Sequence, residues 1–121
     1  MPSPKRGEVW LVDLGYAAKV RPCLVLSVPA GPQDRSLATL LAHTTSPRGS
    51  QFEVIVRVRF LKTGVFDAQN LVTVPHAKLI RKLGDLTTTQ LSLVEDAVRR
   101  WLALPSGGSA SGVSVVTPAP P

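Results

Sequence analysis

Two hydrophobic periods divide this chain. Up to about residue 83 the apolar residues come in short runs broken by Gly, Pro, Ser, Asp and Asn; from Leu86 onward they recur at helical spacing. Residues 7–14 are rich in β-formers and charged at both ends, which predicts a first strand. A short loop follows, with Tyr16 its only aromatic residue. Arg21-Pro22 then opens an unbroken apolar run that stops at Ser27, and such a run reads as a buried strand over 21–28. Residues 29–34 form a turn cluster of Pro, Gly and Asp. Residues 36–44 are Leu-rich and predict a third, mostly buried strand, closed by loop residues 45–50. Over 52–60, Val54, Val56 and Val58 share one side while Glu53, Arg57 and Arg59 interrupt the other. That predicts a half-exposed strand with a basic outer side. Residues 65–68, 70–74 and 79–83 read as three more short strands, with a turn or 3₁₀ piece over 75–78.

The period then changes. Thr87 and Gln90 have capping-box spacing, and Leu91, Val94, Val98, Trp101 and Leu102 recur as one helical stripe. Glu95 and Arg99 are four apart in the favourable order. The helix should end near Leu104 at Pro105. Six or seven short strands followed by one helix predict a mainly β, α+β fold: a small, strongly bent sheet or barrel with a helix packed on it.

Composition refines this picture. The chain has 121 residues, 44% of them hydrophobic, enough for one domain and one core. All 14 Lys/Arg and all 8 Asp/Glu precede residue 105, so the net charge of +6 sits on the folded part, residues 1–104. Residues 105–121 are Pro, Gly, Ser, Ala, Thr and Val without charge or period, the composition of a disordered tail. A small domain of this charge points to an anionic partner. The one cysteine, Cys23, lies inside an apolar run, excludes an internal disulfide and reads as an inert core residue. Neither a membrane-length apolar run nor a signal-type N-terminus is present, which suggests a cytoplasmic protein. No metal-ligand spacing, cofactor motif or Gly-rich phosphate loop occurs, so no metal and no cofactor is expected. The chemistry is expected at Arg21. Pro22 fixes its own φ and pushes Arg21 towards extended geometry, presenting a guanidinium rigidly at a strand mouth. The plainer alternative is an ion pair with Asp13 or Glu8.

Four segments together carry a family resemblance. They are Arg6-Gly7-Glu8-Val9-Trp10; Arg21-Pro22 with Val25-Leu26-Ser27; Thr44-Thr45-Ser46; and residues 78–86, followed by the helix. In this order and spacing the chain resembles the MazF/PemK toxins of bacterial toxin–antitoxin systems, over about residues 5–104. The resemblance implies an SH3-like barrel of the MazF/CcdB type, a homodimer, and metal-independent, sequence-specific cleavage of single-stranded RNA such as mRNA. It also implies inhibition by a cognate antitoxin protein. The family's catalytic Arg falls on Arg21 and its catalytic Thr on Thr45. Three departures stand out: a short loop before Arg21, His43-Thr44 where Pro-Ile is frequent, and Val72 where a basic residue is usual.

RNA carries its own nucleophile, the 2′-OH, and attack by it leaves a 2′,3′-cyclic phosphate and a 5′-OH. A guanidinium fork matches phosphate oxygens, and a fixed hydroxyl adds a donor that tightens in the transition state. Arg21 and Thr45 therefore form a sensible phosphate clamp. His43 is a candidate proton shuttle or base contact; His76 is a weaker one. Lys19, Ser46, Arg48, Arg57 and Arg59 are candidates for the RNA strand, with Tyr16 available to stack on a base. Trp10 and Trp101 read as core or dimer residues. Two competing readings are a gyrase-directed, protein-binding toxin on the same fold and a non-catalytic SH3-like adaptor.

Overall fold

The structure, a computed structural model, describes residues 3–16 and 19–105. The central apolar runs are continuous because the sheet is buried on both faces, as side chains alternate across it. Leu24 enters one cluster with Val9, Leu41, Phe66 and Ala68; its neighbours Cys23 and Val25 enter a second with Val12, Leu40, Ala42 and Leu79. Six strands result: β1 (Glu8–Asp13), β2 (Val20–Val25), β3 (Leu37–Thr44), β4 (Glu53–Ile55), β5 (Val65–Pro75) and β6 (Leu79–Asp85). They form one antiparallel sheet in the order β4-β5-β3-β2-β1-β6. The ladder is open, with β4 and β6 as its edges. A 3₁₀ turn, His76–Lys78, joins β5 to β6.

The helix, α1 (Thr88–Leu102), starts as its sequence predicts. Thr87 Oγ1 accepts the Gln90 N–H at 3.1 Å and Gln90 Oε1 accepts the Thr87 N–H at 2.9 Å. It ends at Ala103 in the left-handed region (φ 56°), whose N–H reaches back to the last turn. Val94 and Ala97 are fully buried against the first cluster, with Leu91 and Val98 beside them.

Several expectations need correction. The strand expected over 52–60 is only Glu53–Ile55. Its partner strand begins at Val65, opposite Ile55, so residues 56–59 have no strand to pair with. Val56 is nevertheless buried and Val58 packs against the core, as the alternation implies. The two strands expected over 65–74 are one. Leu41 faces Leu71 and His43 faces Phe66, so β5 accommodates its extra residues in a bulge at the point where a break was expected. Trp101 and Leu102 are exposed at 42% and 47%, not core; Trp101 leans on Phe52 with ring centroids 5.2 Å apart. Trp10 is half-buried, and its Nε1 donates to Glu8 Oε1 at 2.9 Å. Arg99 pairs with Asp96 at 2.8 Å rather than with Glu95, which instead pairs with Arg6. The expected tail lies, from residue 106 onward, outside the described residues. Among the described residues no helix is long and apolar enough to cross a membrane.

Glu8 ties three segments together. Its carboxylate accepts the Lys5 N–H at 2.8 Å and the Trp10 indole N–H, and pairs with Lys82 Nζ at 3.2 Å across the β1–β6 ladder. Burial by itself would raise its pKa; the Lys5, Trp10 and Lys82 contacts outweigh that and hold it below 4.5. A depressed carboxyl stabilises the fold above its unfolded pKa, and that contribution disappears as pH falls through the folded value. Glu8→Gln should therefore melt lower than the parent at pH 7, with the gap closing below about pH 4. A gap that stays constant across thermal melts from pH 7 to pH 3 would contradict this role.

Candidate active-site cleft

The site forms where two central strands separate. β2 and β3 pair at Cys23 with Ala42, Leu24 with Leu41 and Val25 with Leu40. Beyond that point Arg21 and Pro22 remain paired to β1 alone, opposite Val12 and Leu11. Pro22 fits there because this end of β2 has no β3 partner for the N–H that proline lacks. The Cys23 thiol, buried and pushed up to about pKa 12 by desolvation, lies 3.7 Å from the Arg21 carbonyl oxygen as a neutral packing group. On the loop side, the Lys19 carbonyl accepts the Leu14 N–H at 2.8 Å and Asp13 Oδ1 accepts the Gly15 N–H at 2.9 Å. Lys19 itself is in the left-handed region, φ 55°.

Arg21 stands at the seam of two clefts. The first, about 410 Å³, has Leu11, Pro22, Phe60, Leu61 and Leu83 as apolar wall and carries Lys19, Arg21, His43, Thr45, Lys62 and Arg81. The second, about 290 Å³, is polar: Arg21, Thr44, Ser46, Arg48, Glu53, Asp67 and Asn70. Thr45 thus shares a cleft with Arg21 from the far side of the gap.

The loop bearing Thr45 is held by hydrogen bonds. The Glu53 carboxylate accepts the N–H groups of Arg48 (2.9 Å), Gly49 (2.8 Å) and Ser50 (3.2 Å). The Arg48 N–H leads in holding the Glu53 carboxyl below its ordinary pKa. Gly49 has φ 81°, which this turn requires and most residues resist. Thr44 Oγ1 accepts the Ser46 N–H at 3.1 Å, closing a small turn around Thr45.

His43 is the buried member, 3% exposed, its ring edge against Phe66 at a centroid distance of 5.0 Å. Burial lowers its pKa, so the ring is neutral at pH 7, and its Nε2 is buried without a hydrogen-bond partner. Gly64 presses on it from β5's approach. A Cβ there would lie 2.2 Å from the Thr44 carbonyl oxygen and 2.7 Å from His43 Cε1, so only glycine fits.

Of the residues expected from sequence, Arg21, Thr45, His43 and Lys19 meet in the first cleft, and Ser46 and Arg48 in the second. Tyr16, Arg57 and Arg59 are exposed and line neither. His76 is placed elsewhere, its Nε2 3.2 Å from the Leu37 carbonyl oxygen. Lys62, Arg81, Asp67 and Asn70 were missed, since a turn lysine and three strand residues carry no local signal of a shared site. Glu8, one of the two partners considered for Arg21, is paired with Lys82. Among the described residues no group of three or more His, Cys, Asp and Glu is arranged to hold a metal ion.

A bent antiparallel sheet with one terminal helix and a cationic cleft at a strand mouth defines a small β protein built to hold an anion. Comparison with known proteins narrows that class. The family described as PemK-like, MazF-like toxin of type II toxin–antitoxin system matches residues 5–102. The endoribonuclease MazF4 of Mycobacterium tuberculosis is 30% identical over 105 residues, covering 87% of this chain and 98% of that protein. A mycobacterial endoribonuclease solved in complex with its cognate antitoxin superposes with a TM-score of 0.74 at 28% identity, over 86% of this chain and 99% of that one. A MazE–MazF complex from Deinococcus radiodurans shares the fold, with a TM-score of 0.73 at 21% identity, over 87% of this chain and all of that one (100%). The chain belongs to the PemK/MazF toxin family of type II toxin–antitoxin systems.

Proposed function

We propose that this toxin is an endoribonuclease that cuts single-stranded RNA by attack of the 2′-OH on the adjacent phosphate, with Arg21 and Thr45 as its catalytic residues. One observation carries the proposal: Arg21, at the end of β2 that pairs with β1 but not with β3, shares a cleft with Thr45 on the braced loop after β3. The Arg21 fork binds the non-bridging oxygens and meets the extra charge of the phosphorane. The Thr45 hydroxyl donates a hydrogen bond that strengthens in the transition state. The products are a 2′,3′-cyclic phosphate and a 5′-OH, and the scheme requires no metal. Neutral His43 is suited to a base contact or a proton transfer through a small shift of the ring. The mycobacterial relative is solved in complex with its cognate antitoxin, and for this chain a cognate antitoxin is the expected inhibitor; a second copy of the chain completes the expected homodimer, and the setting is cytoplasmic.

The test is a purified-protein assay on a long single-stranded RNA with chelator present. Cleavage should persist, and one 2′-deoxy nucleotide at the cut site should abolish it there. Cutting at the normal rate past that substitution would remove the 2′-OH as nucleophile. Failure to cut, with inhibition of gyrase supercoiling, would instead support the protein-directed reading.

A further inference from the structure

The two clefts beside Arg21 differ in charge. The first brings Lys19, Arg21, Lys62 and Arg81 together with no carboxylate among its described lining residues. The second opposes Arg21 and Arg48 to Glu53 and Asp67, which face each other directly across the β4–β5 ladder. A polyanion leaving Arg21 is attracted into the first cleft and balanced out of the second. The apolar wall of Leu11, Phe60, Leu61 and Leu83 keeps the local dielectric low and strengthens that attraction.

Lys62 and Arg81 are also unengaged in the fold. Arg6, Lys82 and Arg99 form ion pairs, whereas neither Lys62 nor Arg81 enters an ion pair or side-chain hydrogen bond among the described residues. The contrast is sharpest on β6, where Lys82 pairs with both Glu8 and Asp85 while its neighbour Arg81 lines the cleft. His43, whose buried Nε2 has no hydrogen-bond partner, is in the wall of the same cleft. Cations held on a strand and a turn without acidic partners are what backbone phosphates select.

We infer that the RNA strand continues from Arg21 into the first cleft, where Lys62 and Arg81 hold the phosphodiester next to the scissile one. This rests on the ribonuclease reading above and adds a direction to it: one flanking phosphate is gripped, the other is not.

The experiment uses full-length protein and a short RNA carrying a single neutral methylphosphonate on one side or the other of the cut. In the parent, the neutral group on one side should weaken cleavage by about tenfold, the scale of a lost charged contact, and hardly at all on the other. Lys62→Ala and Arg81→Ala should each weaken cleavage of ordinary RNA, flatten the log affinity against log salt plot by about 1, and lose most of that methylphosphonate sensitivity. Arg35→Ala, a cation on the far turn between β2 and β3, controls for net charge. Lys62→Gln and Arg81→Gln repeat the test should an alanine variant melt lower than the parent. Unchanged slopes and unchanged methylphosphonate sensitivity in both variants, or equal changes in Arg35→Ala, would overturn the inference. If the parent itself cuts no RNA, the ribonuclease reading fails first.

Discussion

Arg21→Ala should lower RNA cleavage by at least about 10²-fold, the scale of one lost transition-state donor, while the melting temperature stays near that of the parent. The fold is expected to survive because Arg21 belongs to neither hydrophobic cluster and occupies the end of β2 that pairs on one side only. Arg21→Lys should recover part of the activity, since an ammonium keeps the charge but loses the planar fork. Thr45→Ala should be damaging and Thr45→Ser mild, because the hydroxyl is the working group. The double variant should be little worse than Arg21→Ala alone if both groups act on one phosphate. Single-turnover cleavage with thermal melts on the same preparations measures all of this. Near-normal cleavage by Arg21→Ala, with activity abolished by His43→Ala, would move the chemical centre to the histidine.

Phe66→Ala should give the largest loss of stability, about 3–5 kcal/mol, a substantial part of the roughly 5–15 kcal/mol available to a domain. Phe66 is fully buried, the largest such side chain in the core, and sits on β5 directly opposite His43. Its removal leaves a cavity and takes away the surface against which the His43 ring rests. Cleavage should fall along with stability, even under conditions where the variant remains folded. Phe66→Leu keeps an apolar filler and should recover much of both. Urea unfolding with an unchanged slope would assign the loss to the native core. A destabilisation under 1 kcal/mol would mean that the core closes over the vacancy.

The strand-rich fold, the capped helix and the place of Arg21 at a strand end were legible because each depends on neighbours in sequence. Runs such as 23–25 and 40–42 show burial on both faces directly, and Thr87 with Gln90 marks a helix start through bonds spanning one turn. Arg21-Pro22 stands out because proline restricts the residue before it. The fate of residues 56–59 was not legible, because extended geometry becomes a strand only where a partner lies alongside, and β5 begins too late to supply one. As a core residue Trp101 misled for a related reason: it falls near the helical stripe, but the helix end extends beyond the surface that covers Val94 and Ala97.

The sequence by itself therefore determined the class of fold and the family, and it singled out Arg21 as the residue proposed for the centre of the site. Tertiary structure decided which other groups join it. Lys62 lies on a turn and Arg81 on the sheet's edge strand, far from Arg21 along the chain; Arg81 reaches the cleft because it and Pro22 flank Leu11 in the β6-β1-β2 ladder, and the turn brings Lys62 to the same cleft. Arg57 and Arg59, equally basic in sequence, fall outside it. Charge is a property of a residue, but a binding site is a property of distances, and those are set by strand pairing between distant segments.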